Sequence, residues 1–357
     1  MIYQLQSNRV WRSYLGGRNI EQLQGQKEAQ DGCFPEEWVA SVVLATNPGH
    51  EREGEGLSRT VDGALLRDLI AENPEAMLGR GNVARHGARM SILVKILDAA
   101  ERLVVQAHPT RAFAQQYFAS PYGKTESWYL IETGEDACIY LGFKPGITRT
   151  EWVRCFEAQD IPRMLGWLHR LAVKPGDVVL VEGGTPHAIG AGCFMIELQE
   201  PTDLIVTPER QTLSGLPFSD KKLHAGLGFE RMFDCFTYEG MDEQEIRRRY
   251  FIQPEESPEA DNMSLRTLIG PAATDKFCLQ ELLVDGTATV SWPDDYAVAV
   301  VLRGSGQVQE LTADGKEPNG QTGGPFCTLK PGDQLFIPAD AGPLLWTGQL
   351  QVVICRP

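Results

Sequence analysis

The sequence predicts a mainly β protein of two joined β-barrels, with a small helical insertion in the first barrel and one divalent metal ion bound there. Three observations carry the fold prediction. Short apolar runs rich in β-branched residues recur along the chain, separated by Gly, Pro and Asp turns. One stretch, 148–171, breaks that rhythm with helical spacing. The tetrapeptide Lys-Pro-Gly-Asp occurs at 174–177 and again at 330–333, each time opening a strand-like run.

In chain order, EEWVASVVLATNP (36–48) reads as an early strand. In 63–79, apolar Leu65, Leu66, Leu69 and Ile70 fall at helical spacing, and Pro74 breaks the helix. SILVKILD (91–98) and RLVVQAHP (102–109) read as strands, RAFAQQYFA (111–119) as a helix, and ESWYLIET (126–133) and ACIYLGF (137–143) as strands again. Trp152, Val153, Phe156, Ile161, Met164, Leu165 and Leu168 give 148–171 one or two short helices, with Thr148 or Thr150 as cap. A strand follows the Pro-Gly-Asp turn in 173–190, a second turn lies at Gly183, Gly184 and Pro186, and GCFMIELQE (192–200) is another strand. Residues 276–357 repeat this pattern. The charged, Pro-containing stretch 240–262 is the expected linker, dividing a metal-binding domain, 1–240, from a second domain, 241–357.

Composition narrows the function. A net charge of −15 repels phosphate backbones and anionic lipid, so neither nucleic acid nor a membrane is an expected partner. The first residues lack the apolar stretch of a signal peptide, and no run approaches a membrane span. None of the eight cysteines forms a CxxC pair, which implies free, mostly buried thiols in a reducing cytoplasm.

Alternation along strands locates the chemistry. In RLVVQAHP, Gln106 and His108 point the same way, about 7 Å apart. Glu126 begins a strand, and His187 follows a Gly-rich turn at a strand rim. Two neutral imidazoles, a carboxylate and an amide oxygen form a borderline N/O set that suits zinc, with Mn, Co or Fe as alternatives. Lys95 lies inside the apolar strand SILVKIL and needs an anion: either a bound anionic substrate, or an internal partner such as Asp98 or Glu126. Lys124, two residues before Glu126, shares its face. In GCFMIELQE, Phe194, Ile196 and Leu198 take one face, and Glu197 and Gln199 take the other with Cys193 and Met195. A carboxylate on the lumen side is a candidate acid/base.

The stretches VKILDAAERLVVQAHP, GKTESWYLIE, YLGFKPGITRTEW, VKPGDVVLVEGGTPHAIGAG and IELQEPTD, in this order over 91–203, resemble type I phosphomannose isomerase of the cupin superfamily. The resemblance implies two cupin-type jelly-roll barrels. The second lacks metal, and 333–346 indeed has no His where GTPHAIG has one. It implies one zinc ion on Gln106, His108, Glu126 and His187, and interconversion of mannose 6-phosphate and fructose 6-phosphate through a cis-enediol. Glu197, Lys124 and Arg210 are then the catalytic candidates, and Lys95 and Lys124 the substrate-binding ones. Three positions depart from the family pattern. Val104 stands for a serine that helps hold phosphate. Thr207 stands for an arginine, with Arg210 three residues on as its expected substitute if the backbone turns. Pro109-Thr110-Arg111 replaces an acidic residue after His108. These departures leave a second function open: an altered family member that binds a sugar or sugar phosphate as a regulator or in another pathway. A metal cupin of another class, such as a dioxygenase, fits less well, because Gln-x-His replaces its His-x-His.

Overall fold

The computed structural model describes residues 1–47, 49–256, 262–311 and 326–357. Pro48, at the end of the expected first strand, and 257–261, within the expected linker, lie outside the described residues. The chain folds into antiparallel sheets joined by short helices. A six-stranded sheet orders Arg9–Val10, Glu36–Val39, Leu93–Ala99, Cys193–Gln199, Glu126–Thr133 and Val178–Val181. A three-stranded sheet sets Cys138–Phe143 between Leu168–Ala172 and His187–Ile189. The largest sheet is built mainly from Met263–Ile269, Cys278–Val290, Ala297–Glu310 and Leu344–Arg356. It also takes the N-terminal pair Tyr3–Gln4 onto Gln334–Ile337, so the chain's first residues sit with its last third.

Period-two alternation decides what each face of the six-stranded sheet does. Phe194, Ile196 and Leu198 point one way with Val94, Ile96, Tyr129 and Leu180. They pack on Leu279, Val298, Val300 and Val353 of the large sheet, so the main core lies between the two sheets. The other face carries the cross-strand row Trp38, Lys95, Glu197 and Trp128. A one-residue slip would exchange Ile196 with Glu197, losing about 1.5–3 kcal/mol per apolar side chain and burying a carboxylate in the core. The apolar face therefore fixes the register that aims the polar row.

The two Lys-Pro-Gly-Asp segments form the same turn. Asp177 Oδ2 accepts from the Lys174 N–H at 2.9 Å, and Asp333 Oδ2 from the Lys330 N–H at 2.8 Å. Gly176 and Gly332 have φ of 89° and 86°, the left-handed geometry of the third turn position, which glycine tolerates best. The insertion forms helices Arg149–Ala158 and Ile161–Gly166, with Thr148 and Glu151 closing a capping box on the first. Helices Leu66–Glu72 and Pro74–Leu78 divide at Pro74 as expected.

Two expected strands differ. The early strand covers only Glu36–Val39, because Ala40 turns to φ 52° and ends the extended run. Residues 102–109 form no ladder. Gln106 pairs with His187 and Ala107 with Val206 as single bridges to two different partners, and Pro109 has no N–H to continue. All eight cysteines are free thiols. Among the described residues no helix is long and apolar enough to cross a membrane.

Candidate active site

Three expected ligands converge. His108, Glu126 and His187 place one ligand atom each within 4.8 Å of one another, and each side chain is at most 1% exposed. Backbone pairing brings them together: the Gln106 N–H donates to the His187 carbonyl at 2.8 Å, and the Gly184 N–H to the His108 carbonyl at 2.7 Å. Glu126 opens its strand opposite Gln199.

The hydrogen bonds set the tautomers. His108 Nδ1 lies 3.0 Å from the Leu204 carbonyl, and His187 Nδ1 lies 2.9 Å from the Thr185 carbonyl. A carbonyl only accepts, so each Nδ1 carries the proton and each Nε2 presents a lone pair. Those two Nε2 atoms lie 3.1 and 3.2 Å from the Glu126 oxygens. Neither buried oxygen accepts a hydrogen bond. Two Nε2 lone pairs converge on a buried carboxylate whose nearest cation is the Lys124 ammonium, and this N/O donor set fits a divalent transition metal. The Gln106 amide reaches His187 Nε2 at 3.2 Å and brings an oxygen to the same point when its amide is turned. Burial, followed by the charge of Lys124, lowers the His108 pKa to about 3, which keeps its imidazole neutral. Burial alone would raise the Glu126 carboxyl, but Lys124 and His108 hold it well below the usual range.

Beside the cluster opens a cavity of about 360 Å³, lined among others by Gln106, Lys124, Lys95, Glu197, Val104 and Thr207. Lys95 Nζ donates to Glu197 Oε1 at 2.8 Å and lies 3.8 Å from Glu36. Its internal partners are therefore Glu197 and Glu36, not Asp98 or Glu126. Asp98 faces the other way and accepts from the N–H groups of Gly17 and Asn19. Burial raises the Glu197 pKa, and Lys95 opposes that shift. Lys124 Nζ is 2.8 Å from His108 Nε2 and 3.1 Å from Glu126, so the Gly-Lys-Thr-Glu spacing does put both on one face.

Arg210 does not enter the cavity. Its guanidinium lies over the rings of Phe156 and Phe229, at 4.6 and 5.0 Å, and pairs with Asp220 at 3.0 Å. The physical reason is local. Gln159 on the insertion accepts from the Arg210 N–H and donates to the Pro208 carbonyl, which holds 208–210 against the insertion's aromatic face. Thr207 does face the cavity, but its hydroxyl donates to the Val105 carbonyl at 2.7 Å.

Among the cavity residues that were not anticipated are Arg12, Glu36, Asp203 and Lys222. Arg12 bridges Glu36 at 3.0 Å and Asp203 at 3.3 Å, above the Trp38 ring. Burial would raise the Glu36 pKa, yet Arg12 and Lys95 bring it down to about 2. A signal for Glu36 was present, since alternation puts it on the same face as Trp38 in a buried strand. Arg12, Asp203 and Lys222 lie in segments without periodicity, which offered none.

Residues 39–130 match the model of the phosphomannose isomerase type I catalytic domain. The chain is 28% identical over 222 residues to the Bacillus subtilis protein named "Probable mannose-6-phosphate isomerase GmuF", covering 62% of this chain and 64% of that one. It is 39% identical over 117 residues to mannose-6-phosphate isomerase ManA of Bacillus subtilis, 33% of this chain and 36% of that one. Matched segments thus span less than two thirds of both relatives. In fold it resembles the crystal structure of mannose 6-phosphate isomerase from Bacillus subtilis, with a TM-score of 0.76 and 22% identity over 99% of each chain.

Proposed function

We propose that this chain, similar in sequence and fold to the type I phosphomannose isomerases, is a metal-dependent aldose–ketose isomerase that interconverts mannose 6-phosphate and fructose 6-phosphate. The observation that carries the reading is the convergence of the His108, Glu126 and His187 ligand atoms within 4.8 Å, beside a sugar-sized cavity that Gln106 and Lys124 line. Gln106, His108, Glu126 and His187 hold one metal ion, with zinc the best match to the donor set. Bound there, the metal supplies a Lewis acid that polarises sugar oxygens and stabilises developing negative charge.

The chain's own groups then move the protons. Glu197 takes the proton from C2 of the aldose and returns it to C1 of the resulting enediol, which gives the ketose. Its Oε1 is held by Lys95, and Oε2 has no hydrogen-bond partner among the described residues, so Oε2 is the base. Burial supports this role by raising the Glu197 pKa towards neutrality. Lys124 carries the hydroxyl proton between O2 and O1. Lys95 orients Glu197 and sets its charge.

The two sheet systems are read as two cupin barrels, a metal-binding domain over 1–240 and a metal-free domain over 241–357, with the protein at work in the cytoplasm. The repeated Lys-Pro-Gly-Asp turn supports the pairing of the halves. A second reading, a family member that binds a sugar phosphate without converting it, is favoured by Val104 and Thr207 in the cavity wall. A coupled assay with mannose 6-phosphate, glucose 6-phosphate and mannose, with and without added zinc, separates the two. Zinc-dependent turnover of mannose 6-phosphate supports the isomerase, and binding without turnover supports the second reading.

A further inference from the structure

Lys222 is the one cation of the cavity wall that, among the described residues, has no anion of its own. Lys95 pairs with Glu197 and Glu36, and Arg12 with Glu36 and Asp203. Arg102 is clamped by both oxygens of Glu209 at 2.7 and 2.9 Å, and Lys124 sits on Glu126. No carboxylate among the described residues comes within ion-pair distance of Lys222 Nζ, and no acceptor bonds it. The side chain is half-buried and lines the cavity, its ammonium free to take an anion there. Burial lowers its pKa, Asp203 offsets that in part, and Arg12 and Lys124 push the same way as burial.

The backbone holds this lysine in place. Leu223, fully buried, packs in the aromatic cluster of Phe156, Phe233 and Phe236 beneath it. The Leu223 carbonyl accepts from the Thr207 N–H at 3.0 Å, so Lys222 stands beside the position whose hydroxyl is already spent on Val105. Ser219, whose Oγ accepts from the Lys222 N–H, lines the same wall.

We propose that Lys222 is the anchor for the substrate's anionic group: its ammonium binds the phosphate of the sugar phosphate. The inference rests on the sugar-phosphate reading above and assigns the phosphate to a residue outside the metal cluster. Of the cavity's cations, only Lys222 gains a counter-ion without surrendering an ion pair to another described residue. A charge-assisted bond of this kind is worth about 10–100-fold in affinity.

The test is calorimetric titration of zinc-loaded protein with mannitol 1-phosphate, which has no carbonyl and cannot isomerise, and with mannitol. Wild type, Lys222→Met and Lys222→Arg are compared, with metal content and melting temperature confirming that each is folded. The expected result is about 10–100-fold weaker binding of the phosphate ester to Lys222→Met. Mannitol binding should not change, and Lys222→Arg should keep most of the affinity. In turnover, KM for mannose 6-phosphate should rise with kcat little altered. Equal binding of the phosphate ester by wild type and Lys222→Met overturns the proposal, as does a wild type that binds the ester no better than mannitol. A wild type that binds the ester through Lys222 but fails to isomerise mannose 6-phosphate overturns the isomerase reading and leaves the anchor standing.

Discussion

Replacing Lys95 by Met tests whether the polar row of the sheet is a matched pair or merely two buried charges. Lys95 and Glu197 lie directly opposite on neighbouring strands, 2.8 Å apart, with both side chains 4% exposed. Removing one partner of such a pair costs about 3–5 kcal/mol, because the other charge stays buried. Lys95→Met should fall in that range. Glu197→Gln should cost less, because Glu36 remains 3.8 Å from Lys95 Nζ. The double variant Lys95→Met/Glu197→Leu should recover most of the loss, since Glu36 keeps Arg12 and apolar side chains fill the row. The coupling should then be at least about 2 kcal/mol. The penalty also has a sign in pH. Burial already raises the folded-state pKa of Glu197, and losing Lys95 raises it further. The folded state then binds its proton more tightly than the unfolded chain, so stability is highest in acid and is lost as pH rises through the folded pKa. Urea unfolding followed by circular dichroism, at pH 5.5 and pH 8, measures both effects. A double variant as unstable as the two single losses combined, or a Lys95→Met penalty that shrinks on going to pH 8, would refute the pairing.

Other outcomes follow from the same geometry. Glu36 has its pKa lowered from 4.5 to about 2, so its contribution, on the order of 3 kcal/mol, is complete above pH 4.5 and lost as pH falls towards 2. Unfolding curves of Glu36→Gln should be flatter across that window than wild type, and identical slopes would contradict the pairing with Arg12. Metal analysis should find about one divalent ion per chain, most of it lost in His108→Ala and in His187→Ala; unchanged content in both variants would exclude these ligands. Arg210→Ala should cost only about 0.5–1 kcal/mol for its ring contacts and leave turnover intact. A tenfold loss of kcat would show that Arg210 reaches the substrate after all.

Much of the site was legible because it is built on strands with a two-residue period. Phe194, Ile196 and Leu198 against Glu197 and Gln199 gave the two faces, and the Gly-Lys-Thr-Glu spacing gave Lys124 beside Glu126. Gln106 and His108 were placed on one side correctly although 102–109 is not a ladder strand, because an extended segment alternates whether or not its bonds form a regular sheet. What sequence spacing missed lies in irregular backbone. Arg12 and Asp203 meet across 191 residues, and only tertiary packing brings them to Glu36. Arg210 was expected inside because position 207 had lost its charge, whereas Gln159 on the insertion holds 208–210 outward. The cation beside Thr207 comes from Lys222 on a separate short helix, at a distance in sequence that no strand pattern spans.

The proposed isomerisation depends on a metal held by the buried His108–Glu126–His187 cluster. Metal-stripped protein titrated with zinc, with bound metal and mannose 6-phosphate turnover read in the same samples, tests it most directly. Turnover should rise in proportion to bound zinc and level off at one ion per chain, and Glu126→Gln should show neither the tight site nor the activity. Turnover that is already full without bound metal, or absent when one zinc is tightly held by the wild type, would contradict it.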